Sequence, residues 1–99
     1  MSTIAQTVLN QIRAMDPAAL MAWGAKDLTN NGKGLRFKTS GMTPWKGFVN
    51  IILDEGKDLY EVHFLRNRKI NGVPTIITDK LVKDVYVEDL INVIDGFVG

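Results

Sequence analysis

The sequence predicts an α+β domain in which two helices lead into an antiparallel meander of about four strands and one more helix closes the chain. Three observations carry this reading. Apolar residues recur at helical spacing over the first 28 or so positions and again after residue 85. Between those stretches the hydrophobic period falls to two. The period-two runs are separated by short turns rich in Gly, Asn and Asp, the signature of hairpins. The chain has 99 residues, which makes one domain with a single core.

The first helix follows from Ile4, Ala5, Val8, Ile12 and Met15, which fall on one stripe, with Gln6, Asn10, Gln11 and Arg13 on the other side. Ser2 is the expected N-cap. "DP" at 16–17 restarts the chain, because Asp16 can cap and a proline costs nothing at the first helical position. The segment "AALMAWGAKDL" then reads as a second helix with Leu20, Trp23, Gly24 and Leu28 on one side, and "TNNGKG" ends it. A glycine inside a helix costs about 1 kcal/mol relative to alanine, so Gly24 suggests close packing of a neighbour.

From residue 34 the strands begin. "LRFKTS" alternates Leu35 and Phe37 against Arg36 and Lys38, and "GMTPWKG" is a connection. "FVNIILD" (48–54) and "LYEVHFLRNR" (59–68) are joined by the hairpin sequence "EGKD". "NG" at 71–72 suits a type I′ turn. Pro74 follows closely and removes a ladder donor, which argues for a bulge or an edge position instead of a clean two-residue hairpin. "TIITDKLVKDVYV" is the fourth strand, and Tyr86, Leu90, Val93, Ile94 and Phe97 place one face of the last helix.

Strand parity divides the sheet into two faces. Leu35, Phe37, Val49, Ile51, Leu53, Tyr60, Val62 and Phe64 share the side expected to meet the helices. The other side carries Phe48, Ile52, Leu59, His63 and Leu65 among Arg36, Lys38, Asn50 and Glu61. That second face is more apolar than a solvated sheet requires. Either a helix crosses to cover it, or it receives a partner, most simply a second copy of the chain.

Composition excludes several chemistries. There is no cysteine, hence no disulfide, thiolate metal site or thiol nucleophile. His63 is the single histidine and Ser2 and Ser40 are the only serines, none of them placed to build a triad. The acidic pairs at 54–55 and 88–89 have turn and helix-start explanations. No enzyme activity and no cofactor are expected. "NNGKG" at 30–34 lacks the spacing of a phosphate-binding P-loop. No apolar run approaches a membrane span, and the N-terminal stretch lacks the pattern of a signal peptide, so the expected location is cytoplasmic.

Net charge is +1, but it is unevenly spread. Residues 1–29 balance to zero, residues 30–70 hold eight Lys/Arg against four Asp/Glu (+4), and residues 71–99 hold two against five (−3). The basic set Arg36, Lys38, Lys46, Arg66, Arg68 and Lys69, with Trp45 and Phe48 near it, has the ingredients of a surface that stacks bases and holds phosphates. Arg66 and Arg68 have the inner-face parity of Phe64, whereas Arg36 and Lys38 lie on the outer face, so one patch would need a bulge. The competing explanation is a hairpin end kept soluble by charge.

The ordered set "MAWGAKDL…GLRFKTSG…GFVNIILDEGKDLYEVHFLRNRK…VYVEDL" resembles a widespread family of small proteins of phage, prophage and other mobile elements, over residues 21 to about 90. The resemblance implies a cytoplasmic accessory protein without established activity, of the kind used in host takeover, counter-defence or nucleic-acid handling. Its pattern falls here on Gly24, Ala25, Lys26, Asp58, Tyr60, Arg66 and Arg68, and departs at Trp23, where smaller polar residues are usual. Together these readings predict a non-enzymatic binding module that self-associates, most simply as a dimer, through the outer sheet face, with a host protein as a further partner. Nucleic-acid binding through the basic residues is the alternative.

Overall fold

The computed structural model describes residues 3–39 and 45–98. Helices α1 (Ile4–Met15) and α2 (Ala19–Trp23) precede strands β1 (Ala25–Asn30), β2 (Gly34–Thr39), β3 (Phe48–Asp54), β4 (Leu59–Ile70) and β5 (Val73–Val85). A short 3-10 turn, Val87–Asp89, leads into α3 (Leu90–Val98). The strands form one antiparallel sheet in the order β1-β2-β3-β4-β5, a meander in which every strand pairs with its chain neighbours.

The sheet therefore has five strands, not four, and the fifth comes from the segment expected to be helical. Helix α2 is cut to one turn because Gly24 takes the left-handed conformation (φ 62°, ψ 41°) and its N–H closes back on Leu20 and Met21. Glycine adopts that conformation without a Cβ penalty, which makes it a helix terminator here and not an interior packing site. Residues 25–30 then run as an edge strand, and Leu28 is exposed instead of lining a helix face. Asp16 does not cap α2, whose N-cap is Ala18 without a side-chain bond, and Pro17 precedes the helix instead of opening it. The Asp16 Oδ1 accepts from the N–H of Ala18 at 3.0 Å within the turn that joins the two helices. At α1 the cap is Thr3, whose Oγ1 accepts from the N–H of Gln6 at 3.1 Å; the expected cap, Ser2, lies outside the described residues.

"NNGKG" turns β1 into β2 rather than a helix into a strand. Gly32 has φ 92°, and the side chains of Asn30 and Asn31 accept from the N–H groups of Gly32 and Lys33. At the far hairpin Asn71 and Gly72 have φ of 52° and 78°, and Ile70 pairs directly with Val73. The turn is thus a clean two-residue one despite Pro74. The reason is register. Ile70 and Val73 flank the turn as a hydrogen-bonded pair, so Lys69 and Pro74 form the following non-bonded pair and the proline nitrogen faces the open edge. The edge position expected for Pro74 is the one it takes.

All three helices pack on one face of the sheet. Ala5, Val8 and Ile12 of α1, Ala19 and Trp23 of α2, and Leu90, Ile94 and Val98 of α3 form one buried cluster with Leu35, Phe37, Val49, Ile51, Tyr60, Val62, Phe64 and Val85. Trp23 stacks parallel on Phe37 at 5.9 Å between ring centroids, and its Nε1 donates to Oδ1 of Asp95 at 3.2 Å. Every inner-face residue expected from parity is buried except Leu53, which is half-buried. Tyr86, expected on the buried face of the last helix, precedes that helix and is 57% exposed. Among the described residues no helix crosses to the outer face.

Three bulges shape the sheet. One residue is inserted on β1 between Lys26 and Thr29, where Asp27 has φ 53°. Two more lie on β5, one at Asp79 and one beside Asp84 (φ 56°). Extra residues on edge strands bend them and blunt the edge against further pairing.

Candidate nucleic-acid interface

The outer face can be read off the register as rows that cross the strands. Lys26 pairs with Lys38, Lys38 with Phe48, Phe48 with Leu65, and Leu65 with Thr78. This row spans all five strands. The next row is Thr29, Arg36, Asn50, His63 and Leu81. Neighbouring strands lie about 4.8 Å apart, so Lys26 sits about 10 Å from Phe48 along its row.

Two local features mark these rows. The Arg36 guanidinium carbon lies 4.6 Å from the centre of the Phe48 ring, joining the rows by a cation–π contact. Lys26 and Lys38 are direct cross-strand neighbours of the same charge, an arrangement that destabilises a sheet unless something anionic lies between them. Among the described residues the ion pairs are Lys57–Asp84 and Arg66–Asp79, and neither of them involves Lys26, Arg36 or Lys38.

The ends of the sheet differ in charge. A hollow of ≈ 420 Å³ at the Lys38 end is lined by Lys38, Lys46, Phe48 and Arg66 with Thr39, Gly47 and Asn67, and contains no carboxylate. The hollow at the opposite end, ≈ 390 Å³, is lined by Asp54, Glu55 and Glu61 together with Lys33. On the outer face His63 is half-buried. Its Nε2 lies 3.7 Å from Oε2 of Glu61 and has no hydrogen-bond partner among the described residues. Asn31 reaches Asn50 and the carbonyl of Ile51, pinning the β1–β2 turn to β3.

The predicted site residues separate into three places. Arg36, Lys38 and Phe48 lie together on the outer face, and Lys26, singled out only by its family pattern, joins them through the unexpected strand β1. Trp45 and Arg66 belong to the helix side. The Trp45 ring meets Phe64 edge-on at 5.8 Å and lies 5.2 Å from Phe97, and its Nε1 donates to Asp79. Arg66 is bonded to the same carboxylate, with Nε 3.1 Å from Oδ2. Arg68 and Lys69 stand on opposite faces of the distal β4–β5 hairpin. The two basic pairs of the sequence lie on opposite faces, because both bulges of this region are on β5 and β4 keeps its alternation, and they meet only at the rim, where Lys38 and Arg66 line the same hollow.

The remaining family-pattern residues have structural places. Asp58 holds a left-handed position (φ 56°) in the β3–β4 turn. Tyr60 is buried, and its hydroxyl donates to Oε1 of Gln11 at 2.7 Å. Burial, and then the charge of Asp58, push the Tyr60 phenol above its ordinary value. Among the described residues no group of three or more His, Asp or Glu converges to hold a metal ion, and no helix is long and apolar enough to cross a membrane. Ser40 and residues 41–44 lie outside the described residues.

No family model, curated protein or solved structure matches this chain.

Proposed function

We propose that the protein binds single-stranded nucleic acid on the outer face of its sheet, with Lys26, Arg36 and Lys38 taking phosphates and the Arg36–Phe48 pair taking a base. The observation that carries this is the row Lys26–Lys38–Phe48: two unpaired cations directly opposite each other, beside an aromatic ring, with no carboxylate in the row. A phosphate between the two ammonium groups removes their repulsion. The stacked guanidinium and ring offer a flat surface that any base can use. Such a surface suits an accessory protein of a phage or mobile element, working in the host cytoplasm without catalysis.

The test is fluorescence anisotropy of labelled single-stranded DNA and RNA at several salt concentrations. One phosphate shared by Lys26 and Lys38 and one on Arg36 predict a slope of log affinity on log salt of roughly −1.4, and Lys26→Ala with Lys38→Ala should flatten it by about 0.7. Absence of binding at low salt, or a double variant that binds like the parent, refutes the assignment.

A second reading, self-association, rests on a different observation. Phe48, Ile52, Leu59 and Leu65 are half-buried and Leu81 is exposed on a face that no helix covers among the described residues. A dimer formed there would cover the same cations, so sedimentation would show nucleic acid and self-association competing.

A further inference from the structure

The β4–β5 hairpin continues the sheet well past its core. Phe64 is the last buried residue on β4, and on β5 nothing before Val85 is buried. From Arg66 to Ile70 the ribbon runs on for roughly 17 Å at the rise of an antiparallel strand. A two-stranded ribbon without a packed face gains little stability of its own, so its composition asks for a partner. Between Arg66 and Thr78 there is no Asp or Glu, while Arg68 and Lys69 add two charges without an ion pair among the described residues. Ile70, Val73 and Ile76 are 46%, 60% and 61% exposed.

These properties select the partner. A second copy of the ribbon would bring like charges together. An anionic membrane would favour an apolar tip, but the outermost residues are Asn71 and Gly72, and the exposed apolar side chains are split between faces: Ile70 and Val73 on one, Ile76 on the other. A nucleic acid accepts this mixture, with phosphates meeting Arg68 and Lys69 and an apolar wedge meeting the flat face of a base pair. Lys69 and Ile76 also continue the outer face that holds Lys26, Arg36 and Lys38. A strand lying on that face would lead directly to the ribbon.

We infer that the ribbon recognises the junction where a single strand enters a duplex, with Ile76, on the same face as the tail, packing on the terminal base pair while the sheet face holds the unpaired tail. The inference rests on the single-strand reading above and adds the substrate form.

Anisotropy with three labelled DNA probes tests it: a single-stranded tail, a hairpin stem carrying that tail, and the blunt stem. The tailed stem should bind more tightly than the tail by at least about fivefold, the equivalent of partly burying one apolar side chain. Ile76→Ser should abolish that preference and leave tail affinity unchanged. Arg68→Gln with Lys69→Gln, which leaves the turn and its flanking pair intact, should reduce the preference and its salt dependence.

Equal affinity of the parent protein for tail and tailed stem overturns the inference while leaving the single-strand reading intact. Binding of the tailed stem alone supports the ribbon and removes the sheet face. Binding of none of the probes removes both. Sedimentation with phosphatidylserine-containing vesicles completes the comparison: vesicle binding lost in Ile70→Ser with Val73→Ser, without junction preference in the parent, would overturn the inference in favour of a membrane-touching ribbon.

Discussion

The Asp79 carboxylate holds the Trp45 indole, with Nε1 donating to Oδ2 at 2.8 Å across 34 residues of sequence. The same carboxylate receives Arg66 on both oxygens, Nε at 3.1 Å from Oδ2 and Nη2 at 3.3 Å from Oδ1. Asp79 is the extra residue of a β5 bulge, and the bulge aims its side chain at a ring that packs on Phe64 and Phe97. A charge used in this way fixes the edge of the core, and it neutralises Arg66, which a ligand in the adjoining hollow would meet as half of an ion pair.

Asp79→Ala should leave the indole N–H and the guanidinium without their acceptor and lower stability by about 1–3 kcal/mol. Tryptophan emission should shift to the red in the folded state, because Trp23 stays buried and the change falls on Trp45. Asp79→Asn, which keeps an acceptor oxygen, should lose less in urea unfolding. Equal stability of Asp79→Ala and the parent would reduce the bond to a surface contact.

Gly34→Ala should be among the most damaging single-atom additions in the chain. An added Cβ would lie 1.8 Å from the carbonyl oxygen of Ile51, which is backbone and has no rotamer by which to escape. The β2–β3 pairing has to open there, at a cost of about 1–3 kcal/mol or more. Gly56→Ala, whose Cβ would meet only the Asp54 side chain at 3.4 Å, is the control and should remain close to the parent in thermal unfolding.

Stability should fall at alkaline pH through Tyr60. Burial and the nearby Asp58 raise its phenol in the folded state, so the unfolded chain loses that proton first. The contribution is whole below the ordinary tyrosine range near pH 10 and is lost as pH climbs towards the folded value. Tyr60→Phe removes the bond to Gln11, lowering stability at neutral pH by about 1 kcal/mol, and should flatten the decline between about pH 9 and 11. An unchanged alkaline slope in Tyr60→Phe would assign the decline to other groups.

Much of this architecture is legible in the sequence because strand parity is a local property. Leu35, Phe37, Val49, Ile51, Tyr60, Val62 and Phe64 are placed correctly by alternation alone. What alternation misses is a switch made by one residue. The pattern of Leu20, Trp23 and Leu28 reads as a continuing helix, and only the left-handed backbone at Gly24 converts its second half into β1. That single turn also hides the row on the outer face, since Lys26 meets Lys38 only after β1 exists. Trp45 and Arg66 mislead for the opposite reason. They carry the side chains of a binding surface, but their shared acceptor, Asp79, reaches them through a bulge that parity does not predict.

The strict chain-order meander has a kinetic counterpart. Each strand closes on the one before it through a short connection, so sheet formation proceeds by small loop closures, which are the fast ones. The tie between Trp23 and Asp95, which spans 72 residues, joins the two helical ends of the chain and has no such shortcut. It belongs late in the sequence of events. Substituting Trp23 with Phe, which keeps the stack on Phe37 and removes the N–H, should then speed unfolding in a chevron experiment and leave the refolding limb almost where it was. A slowed refolding limb would place the two ends together before the sheet. A clasp that forms last would lengthen the lifetime of the native state without changing the speed of reaching it.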